Sequence, residues 1–267
     1  ISLGLVGSEM CIRDRRNAVR NLNPDVPEEY LDQAIGEVIT PKSQSAIAEN
    51  RRIHQILVEG YRGIEYIDHE GNVQNPTIYF LSSQPHKNDY LSLNQVTVAN
   101  LDGERRFDVV CYVNGMPLAF IELKKTGANT SVEGAHNQLQ TYVKEFGMAF
   151  RFANIVIPSD DLSAKYGTPF TPWNHFAPWN VDEDGSPVDP NNMVVAGEPV
   201  TQLDLLLDGL FNVERFGQLY SDFTAFDDTA EGLVMRIAKP HQYFAVTKAV
   251  GSTITAARGD KRAGVIW

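Results

Sequence analysis

Asn114-Gly115, set between two apolar runs, constrains this chain more than any other dipeptide in it. The flanking runs Phe107–Val113 and Leu118–Lys124 are rich in β-branched and aromatic residues. Asn-Gly between such runs predicts a β-hairpin, because the tight turns that match strand twist need positive φ at their central residues. Beyond Thr126-Gly127 a helical period runs from about Val132 to Phe146, and Asn154-Ile155-Val156-Ile157 has the pattern of a core strand. Upstream, Ile64–Ile67, Thr77–Leu81 and Tyr90–Val98 are short and strand-like, bounded by Gly, Asn, Asp or Pro. Before them an amphipathic helix is expected from about Ser43 to Val58, with Ile47, Ile53, Ile56 and Leu57 along one side. Helical text also starts at Arg16, punctuated by Asn23-Pro24-Asp25 and Pro27-Glu28-Glu29. Helix, meander, helix, strand is the order of an α/β (α+β) fold, a mixed sheet flanked by helices.

The chain has 267 residues, 43% of them hydrophobic, enough for one large domain or two small ones. Its net charge of −11 does not advertise a nucleic-acid binder. It does not exclude one either, since carboxylate-based nucleases confine their basic groups to a groove. No apolar run approaches the ~18 residues of a membrane span. Two cysteines far apart in sequence fit a reducing, cytoplasmic setting rather than a disulfide scaffold. The six histidines (54, 69, 86, 136, 175 and 241) lack zinc-site spacing, and neither Cys111 nor any serine lies in a nucleophile motif.

The two ends read differently from the middle. Leu5–Arg15 has no basic leader and no apolar core, so it is not a secretory signal. It is similar to a translated transposase adapter, and residues 1–15 are expected to be a non-native scar outside the fold. Residues 158–200 are rich in Pro, Trp, Asn and Asp and are expected to be irregular. Trp173, Phe176 and Trp179 there either stack on bases or, more commonly, pin a loop to the core. Helical text resumes at Thr201, with Leu203, Leu206, Leu207, Leu210 and Phe211, which places a domain junction near 195–205. Arg262–Trp267 reads as a buried strand, and a chain stopping inside one is expected to be truncated.

The chemistry concentrates at Asp108 on one strand of the hairpin and Glu122-Leu123-Lys124 on the other. Carboxylates in an apolar sheet are costly unless something offsets their desolvation. A divalent cation does so, and two carboxylates can hold Mg²⁺ while water fills the remaining positions. Lys124, two residues after Glu122, points to the same side of the strand and can orient a water or steady a phosphate. A two-residue Asn-Gly loop would set Asp108 opposite Ile121, facing away from Glu122. A three-residue loop, with Gly115 left-handed in a bulge and Tyr112 paired to Met116, puts all three side chains on one face. The three-residue loop is therefore expected. Gln138 and Tyr142 lie at i, i+4 on the following helix and so on one face of it.

These residues resemble the PD-(D/E)xK nuclease core. Phe107-Asp108 stands where that family has Pro-Asp, and Glu122-Leu123-Lys124 stands for its (D/E)xK. Asn137–Tyr142 resembles the QxxxY motif of the RecB-like branch. The wider text is similar to the R (restriction) subunit of type I restriction enzymes: Asn50-Arg51-Arg52, Val58-Glu59-Gly60, Asn94–Val98 and Leu210-Phe211-Asn212. The resemblance implies a Mg²⁺-dependent DNA endonuclease over residues 16–200, with Asp108, Glu122, Lys124, Gln138 and Tyr142 as catalytic residues. Asp108, Glu122 and the Leu123 backbone carbonyl would hold the metal, and Glu49 or Glu59 is a candidate additional acid. Residues 201–267 would begin a helicase-like ATPase motor, a helical segment and the first strand of a RecA-like domain. Lys239–Val246 is similar to the segment before the first helicase motif, where Gln242 would contact adenine. No G-x-x-x-x-G-K-[ST] occurs in the chain, so ATP is expected only in a longer parent. The implied partners are double-stranded DNA and the methyltransferase (M) and specificity (S) subunits, with no membrane. Alternatives are a stand-alone nuclease of the same core, separable by whether a P-loop follows, and a catalytically relict DNA-binding scaffold, disfavoured by the intact Asp108, Glu122 and Lys124.

Overall fold

The computed structural model of the chain describes residues 9–100, 103–125, 131–160, 162–195, 197–259 and 262. Three helices open it: α1 (Glu9–Leu22), α2 (Glu28–Ile39) and α3 (Ala46–Glu59). Pro27 and the acids Glu28 and Glu29 start α2, and its apolar residues Leu31, Ala34, Ile35 and Val38 are buried. Ser45 caps α3 by accepting the Ala48 N–H. A small hairpin follows, β1 (Tyr66–Ile67) and β2 (Val73–Gln74). Thr77–Leu81, expected as a strand, makes only a single bridge, Tyr61 to Ile78. Ile78 and Phe80 are buried as a strand pattern would have them. However, the backbone N–H and C=O of Tyr79 between them bond the Asn23 side chain at 2.8 Å each, where a ladder would need another strand.

The main sheet has the order β3 (Tyr90–Asn100), β4 (Gly103–Val113), β5 (Met116–Leu123), β6 (Ile155–Ser159). The first three strands are antiparallel and β6 runs parallel to β5. Parallel neighbours need a crossover, which α4 (Val132–Glu145) and the 3-10 turn Gly147–Phe152 supply. α4 is capped by Ser131 and buries Val132, Ala135, His136, Leu139 and Tyr142. Under it Phe107, Phe120 and Phe150 form an aromatic cluster, with Phe107 edge-on to Tyr142 at 5.2 Å between ring centroids.

The turn between β4 and β5 departs from expectation. It is the two-residue form, Val113 paired with Met116 and both Asn114 (φ 50°) and Gly115 (φ 69°) left-handed. Asn114 tolerates this conformation and is fully buried. Its side chain donates to the Phe80 carbonyl and accepts the Asp89 N–H. The phase of the strands is corrected further along. Tyr112 pairs with Pro117 but Cys111 with Ala119, so Leu118 is one extra residue, a β-bulge in β5. Val109 then pairs with Ile121, and one step on Asp108 is level with Glu122. The bulge at Leu118 thus supplies the phase change that a three-residue loop would have given.

Past β6 the chain is irregular as expected, and its aromatics pin it down. Trp179 is fully buried against Tyr166, while Trp173 and Phe176 pack on the ring of His136 from α4. A short hairpin, β7 (Val194–Val195) and β8 (Glu198–Pro199), leads to α5 (Gln202–Leu210), which Thr201 and Asp204 start with a capping box. Then come α6 (Val213–Ser221), the hairpin β9 (Thr224–Thr229) and β10 (Gly232–Ile237), and α7 (Pro240–Arg258). The β9–β10 hairpin lies inside text expected to be helical. Leu206, Leu210, Phe216, Leu219, Tyr220, Tyr243 and Phe244 belong to the same continuous core as Phe107, Phe120 and Ile155, so packing crosses the junction proposed near 195–205.

Of the residues 1–15 expected to lie outside the fold, 1–8 are outside the described residues and 9–15 are helical. α1 runs through Glu9–Arg15, and Arg15 is 1% exposed with its guanidinium donating to the Gly115 carbonyl at 3.3 Å. At the other end, the strand expected over Arg262–Trp267 lies outside the described residues except for Arg262. Among the described residues no helix is long and apolar enough to cross a membrane.

Candidate active site

β4, β5 and α4 bring the five expected residues together where β5 ends. The Asp108 carboxylate reaches across from β4, and its Oδ2 accepts the backbone N–H of Leu123 at 2.9 Å. Glu122 is 2% exposed, and Lys124 donates from Nζ to its Oε1 at 3.1 Å. The Lys124 ammonium also donates to Gln138 Oε1 on α4. Gln138 Nε2 in turn donates to the Tyr142 hydroxyl at 2.5 Å, one turn further along the helix. The strand is held at this point from its far side, where the Lys124 N–H donates to the Ser159 carbonyl of β6 at 2.8 Å. A chain of contacts therefore runs from Glu122 through Lys124 and Gln138 to Tyr142, with Asp108 beside its start.

The electrostatics set Glu122 apart. Burial, opposed by the Lys124 ammonium and reinforced by the neighbouring Asp108 carboxylate, pushes its carboxyl up to about 7. Its Oε2 is buried and has no hydrogen-bond partner among the described residues. A buried carboxylate oxygen without a donor costs free energy unless something positive is brought to it. Tyr142 is also pushed up, first by burial and then by the charge of Glu122.

Two buried or half-buried carboxylates, one with an unused oxygen, form a donor set of hard oxygens that suits Mg²⁺, which needs only one or two protein carboxylates. Among the described residues there is no group of three or more His, Cys, Asp and Glu able to hold a metal. Glu49 of α3, a candidate additional acid, is buried, paired with Arg52 at 2.7 Å and accepting the Lys42 N–H at 2.9 Å. Asn50 beside it bonds the carbonyls of Phe150 and Ala153, where β6 is about to begin. Glu59 is exposed at the end of α3, next to Leu57 and Val58, which share a cleft of about 570 Å³ with Val113 and Leu118 at the turn end of the hairpin.

One participant was not singled out from the sequence. Gln95 of β3 donates from Nε2 to Asp108 Oδ1 at 3.3 Å. It lies in the stretch Asn94–Val98, but nothing in residue type or spacing marks it. Gln242 is far from this cluster in the chain. Its Oε1 accepts the Lys239 N–H at 2.8 Å, closing the first turn of α7, and the residue is exposed.

Comparison with known proteins finds relatives of this chain. The family model "Type I restriction enzyme R protein N terminus" matches residues 7–175. The chain is 30% identical over 263 residues to the type I restriction enzyme HindI endonuclease subunit of Haemophilus influenzae, covering 96% of this chain and 24% of that protein. It is 28% identical to the putative type I restriction enzyme MjaIXP endonuclease subunit of Methanocaldococcus jannaschii, covering 94% and 25%. The type I restriction enzyme EcoprrI endonuclease subunit of Escherichia coli is 29% identical over 129 residues. The chain thus spans about a quarter of the length of the first two relatives. With a family match over more than half its length and a site built on the same segment, the chain belongs to the family of type I restriction enzyme R protein N termini.

Proposed function

We propose that the chain is the Mg²⁺-dependent DNA endonuclease part of a type I restriction enzyme. The carrying observation is the hydrogen-bonded chain Glu122–Lys124–Gln138–Tyr142 with Asp108 fixed beside it on the Leu123 N–H, and the buried Glu122 oxygen that has no partner among the described residues. Asp108, Glu122 and the Leu123 carbonyl are the groups that would hold the metal. When bound, Mg²⁺ supplies a water of lowered pKa and neutralises charge on the scissile phosphate. The Lys124 ammonium has three N–H donors, of which Glu122 and Gln138 take two. The third is left for a phosphate oxygen or the attacking water. Gln138 holds the ammonium in place, and the Tyr142 hydroxyl holds Gln138. Hydrolysis needs one water oxygen delivered in line to phosphorus while the P–O bond to the leaving nucleotide breaks, and the ammonium faces the oxygens on which negative charge accumulates.

The reading extends to the longer parent whose R subunit would carry this segment. There, nuclease residues 16–200 would be coupled to an ATP-driven motor beginning within residues 201–267, in a cytoplasmic complex with M and S subunits on double-stranded DNA. ATP would be bound only in that parent, with the exposed Gln242 as an adenine contact. Cleavage of DNA by the parent complex in Mg²⁺ is the test. Asp108→Ala and Lys124→Ala are each expected to lower cleavage by about 10²–10³-fold, as losing one charged group at the developing charge does. Unchanged cleavage in both variants removes the site assignment.

A further inference from the structure

β3 changes phase in mid-strand. Its core-facing positions are Leu91 and Leu93 before Gln95 but Val96 and Val98 after it, and a regular strand with a two-residue period cannot make that change. The switch is at Gln95, whose φ of 55° is left-handed. Among the described residues the only other non-glycine with positive φ is Asn114, in a turn that calls for it. Asn94 pairs with Val109 and Val96 with Phe107, so the flanking ladder is in register, and the one pair missing between them is Gln95 with Asp108.

A long polar side chain held left-handed inside a paired strand costs conformational free energy that its surroundings must offset. What the distortion brings about is specific. The Gln95 amide donates to Asp108 Oδ1 while Leu123 N–H donates to Oδ2, so the Asp108 carboxylate is gripped by a neighbour on each side. We infer that Gln95 is a positioning residue, and that the kink in β3 exists to turn Asp108 toward Glu122. This rests on the reading of Asp108 as a metal-binding carboxylate. Gln95 itself need touch neither metal nor DNA; it acts through the rotamer of Asp108, as outer groups around metal ligands do.

The side chain and the backbone can be separated by substitution. Gln95→Gly keeps the left-handed backbone at no steric cost and deletes the amide. Gln95→Asn tolerates the same backbone with an amide one methylene short. Both are expected to melt cooperatively at or above the temperature of the unsubstituted chain. In both, the Leu123 amide resonance should move as its acceptor swings away, an effect read without metal. Mn²⁺ affinity, measured by calorimetry on the chain, should fall about tenfold. Asp108→Asn is the reference. If it weakens Mn²⁺ binding while Gln95→Gly and Gln95→Asn leave both the Leu123 resonance and the affinity untouched, the role of Gln95 is overturned and the nuclease reading stands. If Asp108→Asn itself leaves Mn²⁺ binding unchanged, the nuclease reading falls and takes this inference with it.

Discussion

Tyr142 has two faces to its environment, a ring packed edge-on to Phe107 and a hydroxyl at the end of the Glu122–Lys124–Gln138 chain. The two can be told apart. Tyr142→Phe keeps the ring and removes the hydroxyl, so stability should change by no more than about 1 kcal/mol, the net worth of one hydrogen bond. DNA cleavage should fall by about tenfold as Gln138 loses the group that orients it and Lys124 wanders, on the scale seen when a supporting group behind a functional side chain is lost. Cleavage rate and thermal unfolding of the one variant check both halves. At this scale the sequence was readable where function needs fixed spacing: Glu122 and Lys124 two apart on a strand, Gln138 and Tyr142 four apart on a helix. It was unreadable where a contact depends on a neighbouring strand. Gln95 meets Asp108 thirteen positions away, through a backbone kink with no sequence signature. The partners of Glu49 were likewise unreadable: its ion pair with Arg52 is at i, i+3, but its bond from the Lys42 N–H depends on how the chain enters α3.

Single elements show how local signals and tertiary demands were settled. The Asn-Gly turn, the helix starting at Ser45 and the helix starting at Ser131 followed from their own residues, because caps and turns are satisfied within a few positions. Thr77–Leu81 did not become a strand, since Asn23 of a distant helix end took the backbone groups a neighbour would have used. The docking of α3 yields a pH prediction. His54 is buried between Tyr220 and Phe226, with Nε2 2.7 Å from the Tyr220 carbonyl, and burial lowers its pKa from the usual histidine value. The folded state therefore favours neutral imidazole. The stability this contributes is full above the ordinary value of about 6.5 and is lost as pH falls from there through the lowered folded value. Calorimetric melting between pH 7.5 and 5 should show a fall in the unfolding temperature that is smaller in His54→Gln. An equal fall in both would place the titration elsewhere.

At the scale of the molecule, the segment after residue 200 is built into the core of the segment before it. Trp179 is the joint. It is fully buried with Tyr243 and Phe244 of α7 at 6.2 and 6.1 Å between ring centroids, and the Arg215 guanidinium of α6 lies over its ring. Gly209 of α5 leaves room for the edge of that indole, and a Cβ there would collide with it. Gly209→Ala should therefore lower stability by about 1–3 kcal/mol, the usual cost of overpacking, although alanine favours the helix itself by about 1 kcal/mol. Denaturant unfolding gives the sign directly, and a stabilised variant would mean that the indole moves aside freely. Composition and apolar periodicity placed a junction near 195–205, because a change from irregular to helical text is visible along the chain. That both sides share one core was not visible, since it depends on where the aromatics of the irregular stretch land.

The extra residue at Leu118 bears on how such a chain can drift. Between the turn and Glu122, β5 is apolar and buried, and one aliphatic side chain there can be exchanged for another with modest loss. Length is another matter. Losing or gaining one residue anywhere between Gly115 and Glu122 would reverse which side of the strand the following residues face. Glu122 and Lys124 would then leave Asp108, Gln138 and Tyr142 without any of them being altered. The segment is thus permissive to spelling and intolerant of frame: its composition can change while the count is kept, and a change of count would take the Asp108–Glu122–Lys124 cluster apart.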